Sequence, residues 1–295
     1  MIDRPGVYDI PIADYLSDPA PEPSFSASVG KTLMQLSPKH AWLAHPRLGG
    51  GTTHEPSARA DFGSVVHELV LEHGAQFRVL EFDDFRTKAA KEARELAVGD
   101  GLVSIKTADF ERAEAAADAI RAQLPDLFAQ GKAEQTLIWR DGPAWCRARP
   151  DWLGQDANLI YDLKITGVNM SQRENALHRH IFAEWYDFSV AHYHDGYSTV
   201  FGEELIDYIF LFVESRPPFS IRPVKLSGQA LEMGRRKLAV ARAWWKNGIA
   251  TDRWPGMAME LEIADPEPWH VAGWLTHEDG SSEADVEQAM EAFSP

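Results

Sequence analysis

An α/β fold, in which helices flank a mixed central β-sheet, is predicted for this chain from two observations. The predicted elements run in the order helix, three-stranded meander, helix and strand, which is typical of a mixed sheet covered by helices. The chain has 295 residues, of which 44% are hydrophobic, and this content is enough to bury a full core. We therefore expect one elaborated α/β domain.

The first third of the chain is predicted to be mainly helical. Residues 1–24 contain several prolines and are expected to be extended. Ser26 or Ser28 can cap a short helix before Pro38, which can itself open a further helical turn. Residues 58–73 place apolar side chains at helical spacing, so we expect an amphipathic helix there.

Strands and helices alternate in the part of the chain that follows. A charged stretch at 84–101 is expected to be mobile, and the alanine-rich stretch at 107–123 favours a helix. The remaining predicted elements are strands at 133–140, 144–152 and 158–165, helices at 171–179 and 184–201, strands at 207–214 and 219–225, and a helix at 228–247.

Two acidic residues and a lysine meet in the middle of the predicted meander. We expect residues 144–152 and 158–165 to pair as a β-hairpin with a tight turn between them. Side chains alternate across a strand, so Asp162 and Lys164 point to the same face. If the hairpin pairs in this way, Asp151 lies beside Asp162.

The chemistry of these three residues is that of a metal-dependent nuclease. Carboxylates as close as those of Asp151 and Asp162 are tolerated most easily with a cation between them. Oxygen ligands suit a hard divalent ion such as Mg²⁺ or Mn²⁺. Lys164 then lies where it can orient or deprotonate a water molecule and offset the charge that develops on a phosphate in the transition state.

The same residues resemble the PD-(D/E)XK nuclease superfamily. Pro-Asp at 150–151 is similar to the first half of its motif, and Asp-Leu-Lys at 162–164 is similar to the second half. Arg-Pro-Asp-Trp at 149–152, with the second aspartate eleven positions after the first, resembles the RecE-like branch, the exonuclease VIII type of phages and prophages. The resemblance covers residues 7–256 and includes the segments 26–41, 62–70 and 254–256.

The resemblance implies a PD-(D/E)XK core and a set of metal ligands. The implied ligands are the side chains of His67, Asp151 and Asp162 and the backbone carbonyl of Leu163. Without the resemblance, a lone histidine in an apolar helix is more often a core residue. Glu134 either adds a ligand or is an exposed carboxylate at the start of a strand. One or two Mg²⁺ or Mn²⁺ ions would polarise the phosphate and generate hydroxide, while Lys164 positions the nucleophile.

The activity implied by the resemblance is 5′-to-3′ digestion of double-stranded DNA from an end. This would leave a 3′ single strand for a phage annealing protein in recombination. RecE-like relatives form rings that thread DNA, so a homo-oligomer is also implied. Two alternatives remain: a structure-selective endonuclease of the same superfamily, and a non-catalytic accessory protein of recombination that binds DNA ends.

Several polar residues are predicted to contact DNA, because lysines and capped helix N-termini favour phosphate. The predicted contacts are Tyr193, Ser28, Lys31, Lys39, Arg147 and Arg149. Relatives often have Gln-x-x-x-Tyr where this chain has Ser189 and Tyr193. The alternatives are ordinary packing for the tyrosine, capping and surface charge for the serine and the lysines, and balancing of carboxylates by the arginines.

The formal net charge of −16 is unusual for a protein that binds phosphates. Residues 257–295 contain ten acidic residues and no Lys or Arg, so they contribute −10 and the other 256 residues only −6. We therefore predict a nuclease domain at 1–256 and an acidic C-terminal tail at 257–295.

The remaining composition excludes some classes of protein. The single cysteine, Cys146, excludes an internal disulfide and a zinc or iron–sulfur site with several cysteine ligands in one chain. No apolar run approaches the length of a membrane span, and the N-terminus lacks the apolar core of a signal peptide. We expect a cytoplasmic protein of a bacterial host cell, of phage or prophage origin, with no membrane partner.

Overall fold

The structure is a computed structural model that describes residues 1–50, 58–71, 76–125, 127, 130–154, 158–170, 175–257, 259, 261, 263–271, 274 and 275, with the backbone alone at 58–60. The chain divides into two compact units, residues 1–256 and residues 257–295. In the second unit, the side chains of Met259 and Leu261 are exposed. The assignment of these units as nuclease domain and tail stays a prediction. No helix within the described ranges is long and apolar enough to cross a membrane.

The first unit contains the strands that build the sheets. In chain order they are β1 (Gly6–Tyr8), β2 (Phe77–Leu80), β3 (Val103–Lys106), β4 (Gly131–Ala133), β5 (Thr136–Asp141), β6 (Ala144–Ala148), β7 (Trp152–Gly154), β8 (Leu159–Thr166), β9 (Asp207–Glu214) and β10 (Ile221–Lys225). The largest sheet has the order β10-β9-β8-β7-β4, the second has the order β1-β5-β6, and β2 pairs with β3. Strands β8 and β9 run parallel and their outer neighbours antiparallel.

Helices cover the largest sheet on both faces. In chain order they are α1 (Ile12–Leu16), α2 (Ala27–Gln35), α3 (Pro38–Ala44), α4 (Ala58–Leu71), α5 (Lys88–Gly99), α6 (Thr107–Gln123), α7 (Ala176–Ala183), α8 (Tyr186–Phe201) and α9 (Gly228–Thr251). Together with the mixed order of the strands, they confirm the predicted α/β fold.

Strand β8 has different neighbours on its two faces. Leu163 belongs to a buried apolar cluster with Val66 of α4. Ile160, on the opposite face, belongs to a cluster with Val190 of α8. Because side chains alternate along a strand, Asp162 shares the face of Ile160 and is directed toward α8.

The predicted hairpin between residues 144–152 and 158–165 is correct only at its turn end, where Trp152 pairs with Tyr161. Strand β6 ends at Ala148 and pairs with β5 in the second sheet, whereas β7 begins at Trp152 and pairs with β8 in the largest sheet. Pro150 lies between them, and proline cannot donate a hydrogen bond to a ladder. The polypeptide therefore changes sheets at the Pro-Asp motif. The predicted strand 133–140 is likewise two strands, β4 and β5.

Two other predicted segments, residues 84–101 and residues 1–24, contain regular elements that the sequence did not predict. The charged stretch at 84–101 contains helix α5, whose N-cap Thr87 accepts a hydrogen bond from the backbone N–H of Ala90 at 3.2 Å. Residues 1–24 are not wholly extended, since they contain β1 and α1. Helix α7 begins at Ala176, and the predicted start of this helix at 171–174 lies outside the described residues.

Close packing of α8 against α9 depends on Gly234, so we predict that Gly234→Ala destabilises the chain. A Cβ atom at this position would collide with the backbone carbonyl of Asp187. Overpacking of this kind typically costs about 1–3 kcal/mol, to be measured as the free energy of unfolding in urea. Gly228→Ala is the matched control, because a Cβ on Gly228 of the same helix meets no atom within 4 Å. Equal unfolding free energies for the two variants would contradict this account.

Candidate metal centre

The candidate site forms where β8 extends beyond its short neighbour β7. The two strands pair only at Tyr161 and Ile160 of β8. Farther along β8, the backbone N–H of Leu163 donates to Oδ2 of Asp151 at 2.8 Å. The carbonyl of Leu163 lies 2.8 Å from Nε2 of His67. Side chains from outside the sheet therefore take the backbone groups that a neighbouring strand would otherwise use.

A cluster of potential metal ligands surrounds this stretch of β8. His67 comes from α4, Glu134 from the turn between β4 and β5, and Asp151 from the crossing between β6 and β7. One ligand atom from each of these side chains lies within 4.8 Å of the other two. The Leu163 carbonyl is close by, because it contacts His67 directly. Two carboxylates, an imidazole and a carbonyl form a donor set suited to Mg²⁺ or Mn²⁺.

The electrostatics of these groups fit a bound cation. Burial and the neighbouring carboxylate of Asp162 raise the pKa of Asp151 well above its usual value, which means that the site lacks positive charge for its acids. Burial and the nearby ammonium of Lys164 lower the pKa of His67 to about 4. The imidazole is therefore neutral at pH 7, as a metal ligand must be.

Asp162 and Lys164 form a charged pair beside the cluster. The Asp162 carboxylate accepts hydrogen bonds from the Lys164 ammonium and the Tyr208 hydroxyl. Burial opposes ionisation of Asp162, but these donors outweigh it and lower its pKa. Burial also opposes the charge on Lys164, yet Asp162 and Asp151 raise its pKa above the ordinary lysine value. In this position the Lys164 ammonium can orient a water molecule and offset negative charge.

Glu134 is not the exposed carboxylate at the start of a strand that one prediction described. Its side chain is buried, and its backbone adopts a φ of 53°, a conformation that is uncommon for residues other than glycine. The backbone N–H of Glu134 donates to the carbonyl of Asp151 at 3.0 Å. Nε of Arg149 donates to Oε2 of Glu134 at 2.6 Å. These contacts aim the Glu134 carboxylate into the cluster.

Phosphate binding by Arg147 and Arg149 stays a prediction, and both arginines have partners within the chain. Both arginines are buried. Besides Glu134, Arg149 donates to the carbonyl of Ile10 and the hydroxyl of Thr136, each at 2.9 Å. Arg147 lies 3.2 Å from the buried carboxylate of Asp18. The alternative, in which the arginines balance carboxylates, therefore fits their surroundings.

A small cavity adjoins the cluster and contains several of the predicted DNA contacts. Its volume is about 220 Å³, and its lining includes Asp162, Lys164, Ser28, Lys31 and Tyr193. The Lys31 ammonium donates to the carbonyl of Glu184 at 3.0 Å. Burial and the charge of Lys164 lower the pKa of Lys31 to about 8. This cavity therefore combines a cation with polar groups next to the candidate metal ligands.

The other predicted contacts have different surroundings. The Tyr193 hydroxyl donates to the carbonyl of Arg149 at 3.0 Å, so it already has a backbone partner. Oγ of Ser28 lies 3.0 Å from Oγ of Ser26, the N-cap of α2. The ammonium of Lys39 lies 4.1 Å from the centre of the Trp42 ring, and Lys39 does not line the described part of the cavity.

Tyr15 and Tyr208 belong to the site but were missed in the sequence. Tyr15 of α1 lines the cavity, and the guanidinium of Arg147 lies 5.5 Å from the centre of its ring. Tyr208 of β9 donates to Asp162. No local pattern marks either tyrosine, because each reaches the site through contacts between distant parts of the chain.

Comparisons with known proteins agree with this geometry at the level of the fold. A family model described as "PDDEXK-like domain of unknown function (DUF3799)" matches residues 26–265, and no curated protein matches the sequence. A candidate exonuclease of known structure from Eubacterium rectale is similar with a TM-score of 0.60 at 14% identity, covering 89% of this chain and 97% of that one. A phage-related exonuclease from Haemophilus somnus gives a TM-score of 0.32 at 13% identity, covering 68% and 97%. The RecE-like branch stays a prediction.

We predict that Asp151→Asn removes the stabilisation of the chain by Mn²⁺. Asparagine retains an oxygen that can accept the Leu163 N–H but lacks the charge that an ion needs. At a free Mn²⁺ concentration one hundred times the Kd, the wild type should gain about 2.7 kcal/mol of unfolding free energy, and the variant should gain almost none. Without metal, the variant should be at least as stable as the wild type, because it no longer buries one of three neighbouring carboxylates. Thermal unfolding with Mn²⁺ or EDTA measures both effects, and equal Mn²⁺ stabilisation of the two proteins would exclude Asp151 as a ligand.

Proposed function

We propose that this chain, which belongs to the PDDEXK-like domain family, is a divalent-metal-dependent exodeoxyribonuclease that hydrolyses phosphodiester bonds of double-stranded DNA from an end. The observation that carries the proposal is the convergence of His67, Glu134 and Asp151 within 4.8 Å beside a cavity lined by Lys164. The chemistry of a metal-assisted phosphodiesterase needs a site for a cation, a fixed positive charge and room for a phosphate, and these lie together here.

The metal would be held by His67, Glu134 and Asp151, with Asp162 and the Leu163 carbonyl next to them. A bound Mg²⁺ or Mn²⁺ supplies Lewis-acid chemistry at the phosphate. Lys164 would offset the negative charge that grows on the phosphate oxygens in the transition state. Lys31 and Ser28 would hold the phosphate of the strand in the cavity, where Lys31 provides the charge.

The finer parts of the proposal have their own grounds. The relative from Eubacterium rectale is named as a candidate exonuclease, which favours attack from an end. Polarity from 5′ to 3′, a role in phage-type recombination with an annealing protein, and assembly into a homo-oligomer follow from the resemblance to RecE-like exonucleases. A cytoplasmic location in a bacterial host cell is proposed on the same basis.

The direct test is digestion of linear double-stranded DNA that carries a label at the 5′ or the 3′ end. With Mg²⁺ or Mn²⁺, the 5′ label should be released first, and EDTA should abolish release. Lys164→Ala should lower the rate at least about a hundredfold, the usual effect of removing one group that stabilises transition-state charge. Lys88→Ala is the control, because the Lys88 side chain is 91% exposed and pairs only with Glu92 within the described residues.

Other outcomes of this test would identify the alternatives. Cleavage of a closed circular duplex would indicate a structure-selective endonuclease. Binding of DNA ends without release in any metal would indicate a non-catalytic accessory protein. Full activity of Lys164→Ala would contradict the role proposed for this lysine.

Lys31 makes the proposed phosphate contact dependent on pH. Its pKa is lowered to about 8 by burial and by Lys164, so its amine is mostly charged at pH 7 and mostly neutral at pH 9. In EDTA, DNA affinity of the wild type should therefore fall between pH 7 and pH 9. Lys31→Gln should bind weakly at both pH values, with a salt slope smaller by about 1. If the wild type and Lys31→Gln lose affinity in parallel, the cavity does not hold a phosphate through Lys31.

A further inference from the structure

The two oxygens of the Asp162 carboxylate accept hydrogen bonds from donors on two different strands. Oδ1 accepts from the Lys164 ammonium on the same strand, and Oδ2 accepts from the Tyr208 hydroxyl on β9. Asp162 itself is 6% exposed. Two donors on opposite oxygens fix the rotation of a carboxylate about its Cβ–Cγ bond, which neither donor could do alone.

Tyr208 is held rigidly for this contact. The residue is 2% exposed and is opposite Ile160 in the parallel pairing of β8 and β9. Its ring centre lies 5.4 Å from that of Tyr193 and 5.1 Å from that of Phe210. A ring confined in this way delivers its hydroxyl to one place.

We propose that Tyr208 is a positioning residue that fixes the Asp162 carboxylate beside the metal cluster and so raises the affinity of the site for a divalent ion. Partners of metal ligands commonly act in this way, because they select one orientation of the ligand before the ion arrives. Within the described residues, Tyr208 is neither a member of the cluster of His67, Glu134 and Asp151 nor part of the lining of the cavity. The contact through which it would act is its hydrogen bond to Asp162.

The inference rests on the proposed metal-dependent function, and its test reads ion binding rather than DNA cleavage. Calorimetric titration of the full chain with Mn²⁺ should give a Kd about tenfold higher for Tyr208→Phe than for the wild type. The substitution keeps the ring and removes only the donor. With DNA as substrate and Mn²⁺ below saturation, the variant should lower kcat and leave KM for DNA unchanged.

Tyr197→Phe is the matched control. The Tyr197 hydroxyl also makes a partly buried hydrogen bond, to Oδ1 of Asn158 at 2.8 Å, and its residue is 4% exposed. This variant should lose thermal stability, as Tyr208→Phe should, but should bind Mn²⁺ like the wild type. A role of Tyr208 in stability alone predicts the same Mn²⁺ Kd for both variants.

A double-substitution cycle isolates the path through Asp162. In an Asp162→Asn background, residue 162 has no charged carboxylate for the Tyr208 hydroxyl to orient. Tyr208→Phe should therefore have no further effect on the Mn²⁺ Kd. This comparison also covers the case in which Tyr208→Phe alone does not fold. If the two substitutions have additive effects on the Mn²⁺ Kd, or if Tyr208→Phe has the wild-type Kd, the role of Tyr208 is overturned but the metal centre is not. A wild-type chain that does not bind Mn²⁺ would overturn both.

Discussion

The hydrogen bond from the Leu163 amide to the Asp151 carboxylate, 2.8 Å long, is the contact on which the site depends. This bond holds residues 149–151, where the chain passes from one sheet to the other, against the part of β8 that β7 does not pair with. The carbonyl of the same residue, Leu163, contacts His67 and so holds α4 at this part of β8. A β7 strand two residues longer at its start would occupy these backbone groups itself, and neither side chain would then be drawn to the strand. The site is therefore a product of where pairing stops.

Concentrating carboxylates at that edge costs stability, and basic residues offset only part of the cost. Lys164 lies against Asp162 and 3.9 Å from Asp151, while Arg149 holds Glu134. The pKa of Asp151 nevertheless stays well above its usual value, because burial and Asp162 both oppose its charge. Functional sites often keep such an imbalance. Here it favours the binding of a divalent ion, which would complete the set of positive charges.

Local patterns predicted the parts of the molecule that depend on neighbouring residues in the chain. The bounds of α6 and β9 agree with the prediction, and strand alternation correctly put Asp162 and Lys164 on one face. The break between β6 and β7 was missed, because each half continues as a plausible strand and only pairing with different sheets separates them. Which carboxylate Arg149 pairs with, and the contact between Tyr208 and Asp162, were missed for a related reason. Both depend on the register between segments far apart in the sequence.

Anomalous diffraction from crystals soaked in Mn²⁺ would show directly whether this edge of β8 binds a metal ion. We expect an anomalous peak at ligand distance from His67, Glu134 and Asp151, about 2.0–2.6 Å from the oxygen donors as for hard divalent ions. The peak should be lost in crystals of Asp151→Asn. The assignment of this edge of β8 as a metal centre would be contradicted if saturating Mn²⁺ gave no anomalous peak at this cluster, or a peak only elsewhere.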